Sequence, residues 1–191
     1  MGNHASVAHS LRDIGFRVRI SKDTNQLDQV DILILPGVGA FPAAMEALSE
    51  RGLVDYLQKY AKKGRPLIGI CLGMQLLART SYEHGCTDGL NLIPGKILPF
   101  DDHRVHIGWN TLEYTTKDTS LNLSNGQAFY FNHSYYYEGS SEYHLAVTQH
   151  HGEFPAAIRK GTVVGLQFHP EKSQHAGKAL LKNLIMELVH A

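Results

Sequence analysis

A cysteine with glycine two residues to either side joins an apolar run to a run of helix formers. The chain reads Pro66-Leu67-Ile68-Gly69-Ile70, then Cys71-Leu72-Gly73, then Met74-Gln75-Leu76-Leu77-Ala78-Arg79. The first run is short, apolar and β-branched, as a strand buried on both faces would be, and Met74 to Arg79 predicts a helix. A buried strand feeding directly into a helix belongs to a layered α/β sheet. The residue at such a junction sits in a strained turn, and neighbours without a Cβ relieve the crowding. Cys71 is therefore a candidate nucleophile. The N–H groups and positive dipole end of the following helix favour a thiolate and can donate to an oxyanion on an attacked carbonyl. Taken alone, the pentapeptide is equally compatible with a buried structural cysteine.

A partner for the thiol stands far downstream, in Gly165-Leu166-Gln167-Phe168-His169-Pro170-Glu171-Lys172-Ser173, after the strand-like run Thr162-Val163-Val164. Imidazole titrates near neutral pH, so His169 can take the thiol proton and later return it to a leaving amine. Pro170 pushes His169 toward an extended backbone, and a His-Pro-Glu turn can fold the Glu171 carboxylate back onto the ring to fix its tautomer.

Strand-like and helix-like segments alternate along the rest of the chain. His4 to Ile14 predicts a helix closed by Gly15, Arg17 to Ile20 a strand, and Asp31 to Leu35 a second strand ending in a Pro-Gly turn. Phe41 to Lys63 predicts helix, broken near Arg51-Gly52. Short β-rich pieces follow around Gly95–Phe100, Gly108–Glu113, Ala128–His133 and His144–Gln149, and Ala176 to Val189 has the apolar spacing of a helix packed on a sheet. With 191 residues and 43% hydrophobic composition, one domain spanning 1–191 is the simplest count.

The formal net charge is zero, with no long run of one sign, so neither a nucleic-acid footprint nor a polybasic membrane patch is expected. No apolar stretch is long enough to cross a bilayer. Twelve histidines raise the question of a metal. No Cys-x-x-Cys, His-Glu-x-x-His or tight acidic cluster accompanies them, so neither metal nor cofactor is expected. His103, His106, His150 and His151 read as solvated or locally hydrogen-bonded. The two cysteines, Cys71 and Cys86, and the absence of a leader fit a reduced, cytoplasmic protein. Cys86 lies in a polar stretch without flanking strand or helix and is treated as incidental.

Gly-Ile-Cys-Leu-Gly-Met-Gln at 69–75, together with Gln-Phe-His-Pro-Glu-Lys-Ser at 167–173, resembles the class I (triad) glutamine amidotransferases. Leu35-Pro36-Gly37-Val38-Gly39-Ala40-Phe41, His106-Ile107-Gly108-Trp109-Asn110, Phe129-Tyr130-Phe131-Asn132-His133-Ser134-Tyr135 and the Lys172-Ser173 ending narrow the match to the glutaminase subunits of imidazole glycerol phosphate synthase. The resemblance implies a three-layer αβα, flavodoxin-like fold with a mostly parallel central sheet, and hydrolysis of L-glutamine to glutamate and ammonia in L-histidine biosynthesis. Cys71 would form a γ-glutamyl thioester, with His169 shuttling protons and Glu171 orienting it. Backbone N–H groups near Val38 or Gly39 and at Leu72 would face the oxyanion. Gly37, Gln75, His133, Ser134 and Tyr135 match positions that hold glutamine. Asn3, Trp109, Asn110, Tyr130 and Lys172 fall in segments facing a cyclase subunit of (β/α)8-barrel fold, which receives the ammonia in a heterodimer. For Trp109 a place in the core has equal weight.

The chain departs from this family at its start, where relatives carry an apolar strand before the segment matching Met1-Gly2-Asn3. That strand is normally interior, so its absence leaves neighbouring edges unpaired unless the start is assigned too late or the fold compensates. Val105, where relatives often carry proline, and Asn132 are smaller departures. Other readings stay open on the sequence alone: a sibling glutaminase feeding ammonia to a sugar amidotransferase of surface polysaccharides, a cysteine peptidase, and a non-catalytic assembly subunit.

Overall fold

The structure is a computed structural model and describes residues 3–101, 104–115 and 126–190. Met1, Gly2 and His103 lie outside the described residues. The chain opens with helix α1 (His4–Asp13) and a single turn, α2 (Thr24–Leu27), before strand β1 (Leu33–Gly37). Two helices follow, α3 (Phe41–Glu50) and α4 (Leu53–Lys62). They are broken where expected, with Gly52 at φ +63° in the left-handed region that glycine tolerates. Then come β2 (Leu67–Cys71), α5 (Leu72–Leu76), the short β3 (Thr80–Ser81) and β4 (Thr87–Asp88), and β5 (Lys96–Pro99). The remainder comprises β6 (His106–Thr111), β7 (Glu113–Tyr114), β8 (Ala128–His133), β9 (Tyr135–Glu138), β10 (His144–Gln149), β11 (Glu153–Lys160), β12 (Val163–Leu166) and helix α6 (Gln174–His190).

The main sheet runs β1-β2-β12-β11-β10-β7. Its parallel part is confined to β1, β2 and β12, the strands that carry the nucleophile turn and lead to His169. The pairings beyond β12 are antiparallel, so the sheet is mixed rather than mostly parallel. A second sheet runs β4-β3-β5-β9, and β6 pairs with β8 in a separate antiparallel ribbon.

Helices cover both faces of the main sheet, giving three layers. On one face, Val7 and Leu11 of α1 and the Leu180, Leu181, Leu184, Ile185 and Leu188 stripe of α6 bury against Ile68 and Ile70 of β2. On the other, Phe41 and Met45 of α3 and Leu57 and Tyr60 of α4 pack on Leu67 and Met74. Each fully buried aliphatic side chain of these stripes contributes about 1.5–3 kcal/mol. Ion pairs such as Arg159–Glu187 at 2.7 Å tie α6 to β11 at the margin.

Two local expectations are corrected. Arg17–Ile20 is not a strand: it joins no ladder among the described residues, and β1 stands at the edge of the main sheet. Phe16 and Val18 instead lean, partly buried, on the core beside α1. The helix after Cys71 is one short turn rather than a run to Arg79. The N–H groups of Leu90, Asn91 and Leu92 take the carbonyls of Leu76, Ala78 and Leu77 at 2.8–3.0 Å, so those carbonyls are withdrawn from any further helical turn. Finally, β11 was not expected from the sequence. Its Pro155 argues against an inner strand, yet Pro155 pairs with Val147 where the β10–β11 register shifts.

Candidate active site

Cys71 ends β2 and caps α5 with φ +54° and ψ −111°, a conformation rare for a residue with a side chain. Close glycine packing on both sides holds it there. A Cβ on Gly69 would come within 2.5 Å of Gly73 O, and one on Gly73 within 1.7 Å of Leu35 O in β1. The turn is thus wedged against the end of β1, and Gly37 pairs directly with Cys71. The Cys71 thiol points toward Asn132 O at 3.8 Å and is 6% exposed.

His169 follows β12 and is fixed from both sides by backbone. Its N–H donates to Tyr130 O at 2.8 Å, and Ser173 Oγ donates to His169 O at 2.6 Å while accepting from Tyr130 N–H at 3.0 Å. Pro170–Lys172 forms one 3-10 turn that swings Glu171 back under the ring. His169 Nδ1 donates to Glu171 Oε1 at 2.8 Å, and both side chains are almost wholly buried, at 1% and 0% exposure. This leaves Nε2 as the nitrogen available to the Cys71 sulfur, which together with Glu171 raises the pKa of the ring.

Burial alone would depress the His169 pKa. The hydrogen bonds and negative charge of Cys71 and Glu171 outweigh burial and raise it to about 9. Burial would likewise raise Glu171, but the hydrogen bonds from His169 and Asn3 hold its carboxyl below the usual range. An imidazolium set between a sulfur and a carboxylate can stabilise a thiolate and deliver a proton to a leaving group.

Asn3 was expected on a partner-facing surface. It is 6% exposed, and its Nδ2 donates to Glu171 Oε1 beside the triad. Asn3 Nδ2 is also 3.3 Å from His169 Nδ1. With that nitrogen already donating to Glu171, the carboxylate bond is the effective one. The cause of its burial is local: α1 starts at the next residue, so Asn3 is fixed at the helix N-terminus against the 3-10 turn.

A cavity of about 250 Å³ opens onto Cys71 and His169. Val38, Gly39 and Leu72 form one wall, and Gln75, His133, Ser134 and Tyr135 another. Gly37 stays behind this wall, where a Cβ would meet Leu72 Cβ at 3.0 Å, so its place is one of close packing. Gln75 is fixed by its Nε2, which donates to Tyr135 O at 2.9 Å and Gln167 Oε1 at 3.2 Å.

Glu83 also lines the cavity, and the sequence reading passed over it. Its Oε2 accepts the Phe41 N–H at 2.7 Å at the start of α3. It sits in a polar loop stretch without periodicity, and only the long-range contact to α3 marks it out. Among the described residues, no three His, Cys, Asp or Glu side chains gather as a metal-binding group, and no helix is long and apolar enough to cross a membrane.

Beside the triad, Tyr130, Trp109 and Lys172 cluster. Trp109 is 50% exposed and meets Tyr130 edge-on at 6.1 Å, so it is not a core aromatic. Lys172 Nζ lies 5.6 Å over the Tyr130 ring and also borders the cavity. Ile107 and Val105 extend this exposed apolar surface. Asn110 is half-buried and bonded to Gln149 O at 2.8 Å.

Residues 1–188 match the family model described as glutamine amidotransferase class-I. The subunit HisH of imidazole glycerol phosphate synthase from Carboxydothermus hydrogenoformans is 44% identical over 188 residues, covering 96% of this chain and 94% of that protein. Its counterpart from Streptococcus gordonii is 45% identical over 186 residues, covering 95% and 89%. A crystal structure described as a glutamine amidotransferase superposes with a TM-score of 0.74 at 20% identity, covering 100% of this chain and 95% of that one, and supports the fold alone. The chain therefore belongs to the class-I glutamine amidotransferase family, within the HisH subunits of imidazole glycerol phosphate synthase.

Proposed function

We propose that the chain hydrolyses L-glutamine at Cys71 and passes the ammonia to a cyclase subunit in the cytoplasm, as the glutaminase half of an imidazole glycerol phosphate synthase. The observation that carries this reading is the Cys71–His169–Glu171 line at the floor of a cavity walled by Gln75, Glu83 and Tyr135. The Cys71 thiolate attacks the side-chain amide carbon. The resulting oxyanion is received by backbone N–H groups at Leu72 and at Val38 or Gly39. The His169 imidazolium gives its Nε2 proton to the departing nitrogen, and ammonia leaves with the C–N bond broken. The γ-glutamyl thioester is then attacked by a water that His169 deprotonates, and glutamate and the free thiolate are restored. Glu171 holds the imidazole throughout, with Asn3 bracing the carboxylate. Glu83 supplies a charge for the α-ammonium group of glutamine, and Ser134 and Tyr135 hold its other end.

The partner is a (β/α)8-barrel cyclase, and the exposed Trp109, Ile107 and Lys172 surface beside the cavity suits its docking. Pro36-Gly37-Val38-Gly39 is the element that turns its peptide groups to complete the oxyanion site, since Gly39 already holds φ +104° with open space around it. Glutamate release from the isolated chain and from the complex with cyclase and its phosphoribosyl ligand tests this. A large stimulation by the liganded partner is expected, and full activity of the isolated chain would rule out the loop's role.

A further inference from the structure

A line of side chains that no step of this reaction uses connects the cavity wall to β6. The Tyr135 carbonyl, which borders the cavity, accepts from Gln75 Nε2 at 2.9 Å and from His133 Nδ1 at 2.7 Å. A carbonyl can only accept, so neutral His133 carries its proton on Nδ1 and leaves Nε2 as an acceptor. His106 Nδ1 lies 3.1 Å from that Nε2 and must carry its own proton there. The remaining His106 Nε2 then accepts from Asn110 Nδ2 at 3.2 Å.

The Asn110 amide is itself oriented, with Nδ2 donating to Gln149 O at 2.8 Å and Oδ1 accepting the Thr111 N–H at 2.9 Å. Every bond runs one way, from Asn110 through His106 and His133 to Tyr135. Only one tautomer of each ring satisfies them all.

The surroundings keep both rings neutral. His106 is 4% and His133 7% exposed, and burial above all pulls them down to about 4 and about 3. The His106 ring stacks on Phe131 at 4.4 Å and on His150 at 4.2 Å.

We propose that His106 is a positioning residue of the glutamine cavity: the Tyr135 carbonyl sets the His133 tautomer, and the His106 hydrogen bond to His133 Nε2 holds that ring in place, and through it the Tyr135 carbonyl and the Gln75 amide, linking that wall to Asn110 on the strand carrying Trp109. Without the His106 donor, His133 Nε2 is left a buried acceptor without a partner, and the ring turns to relieve it. A turned ring no longer directs its Nδ1–H at the Tyr135 oxygen, now 2.7 Å away. The 133–135 wall shifts, and Gln75 loses a fixed partner. Substrate binding suffers more than the chemical step, because the triad is braced by Tyr130, Ser173 and Asn3 instead. The inference rests on the glutaminase reading.

Two variants of the full chain, assayed with the cyclase subunit, separate hydrogen bonding from packing. His106→Asn keeps an amide donor near the Nδ1 position and loses the ring. His106→Phe keeps the stacked ring and loses both nitrogens. His106→Phe is expected to raise KM for glutamine about tenfold with kcat within about threefold, the effect of one lost buried hydrogen bond, and His106→Asn to hold KM within about threefold. Equal effects, or the reverse order, would overturn the proposal. Nitrogen-15 correlation spectra of the His133 ring give a readout independent of activity. The Nδ1–H tautomer is expected in the wild type and in His106→Phe alike, with the Nε2 resonance of His106→Phe moved to that of an acceptor without a hydrogen bond; an Nε2 resonance unmoved by the substitution, or an Nε2–H ring in the wild type, would also overturn it. A wild type inactive on glutamine that nonetheless has the expected tautomer would defeat the glutaminase reading alone.

Discussion

Gly73→Ala tests how tightly the nucleophile turn is built into the sheet. An added Cβ would stand 1.7 Å from Leu35 O, whereas real contacts of this kind stay beyond 3.0 Å, so α5 and β1 must part by more than about 1 Å. The obstacle is backbone, so no side-chain rotation relieves it. Overpacking of this kind costs about 1–3 kcal/mol, and for a chain of this size that lowers the melting temperature by about 2–12 °C. The larger effect falls on chemistry, because the same displacement moves Cys71 against the Val38-Gly39 wall. A misplacement of about 1 Å costs on the order of a hundredfold in rate. Thermal unfolding and glutamine-dependent kcat/KM of the complex are measured together, with Leu188→Ala as the control. Leu188 is 3% exposed on the last turns of α6, so its truncation costs about 2–5 kcal/mol without touching the turn. The expected pattern is a stability loss in both variants and an activity loss in Gly73→Ala only. Equal activity in both variants would refute the claim that glycine packing sets the nucleophile's position.

Glu83→Gln removes the charge beside the cavity while keeping an acceptor for the Phe41 N–H. Steady-state kinetics should show KM for glutamine raised about ten- to hundredfold with kcat little changed, the loss of a charge-assisted hydrogen bond; an unchanged KM would remove Glu83 from the substrate site. Glu171→Gln should lower kcat by about a hundredfold or more and weaken the hold on the His169 proton. The pH dependence has a definite sign: the folded His169 pKa of about 9 lies above its ordinary 6.5. Its contribution to stability is thus complete below about 6.5 and is lost as pH rises through about 9. Melting temperatures between pH 6 and 10 should fall at the alkaline end in the wild type, and the fall should shift to lower pH in Glu171→Gln. Identical profiles would mean that the carboxylate does not hold the proton.

The turn at Cys71 and the contact of Glu171 with His169 were legible because both are local: a strand-to-helix turn announces the first, and a His-Pro-Glu turn brings about the second whatever the rest of the chain does. The helix break at Gly52 and the helix end at Gly15 were legible for the same reason. What failed depends on distant neighbours. Arg17–Ile20 has a strand's composition but no ladder, and the helix after Cys71 is cut short by N–H groups from residues 90–92. Strand β11 was hidden by Pro155, which the sheet accommodates at a register shift. Asn3 and Glu83 reach the site from loops or helix starts without a periodic signal. His106 was read as solvated or locally bonded, and only the pairing of β6 with β8 brings it opposite His133.

The central claim is that Cys71 generates ammonia for a cyclase partner. Its most direct test is synthesis by the reconstituted complex, with glutamine or with added ammonium salt as nitrogen source, in the wild type and in Cys71→Ala. The account predicts that the variant loses glutamine-dependent synthesis and keeps ammonium-dependent synthesis at the wild-type rate. Glutamine-dependent synthesis that survives the substitution would contradict it.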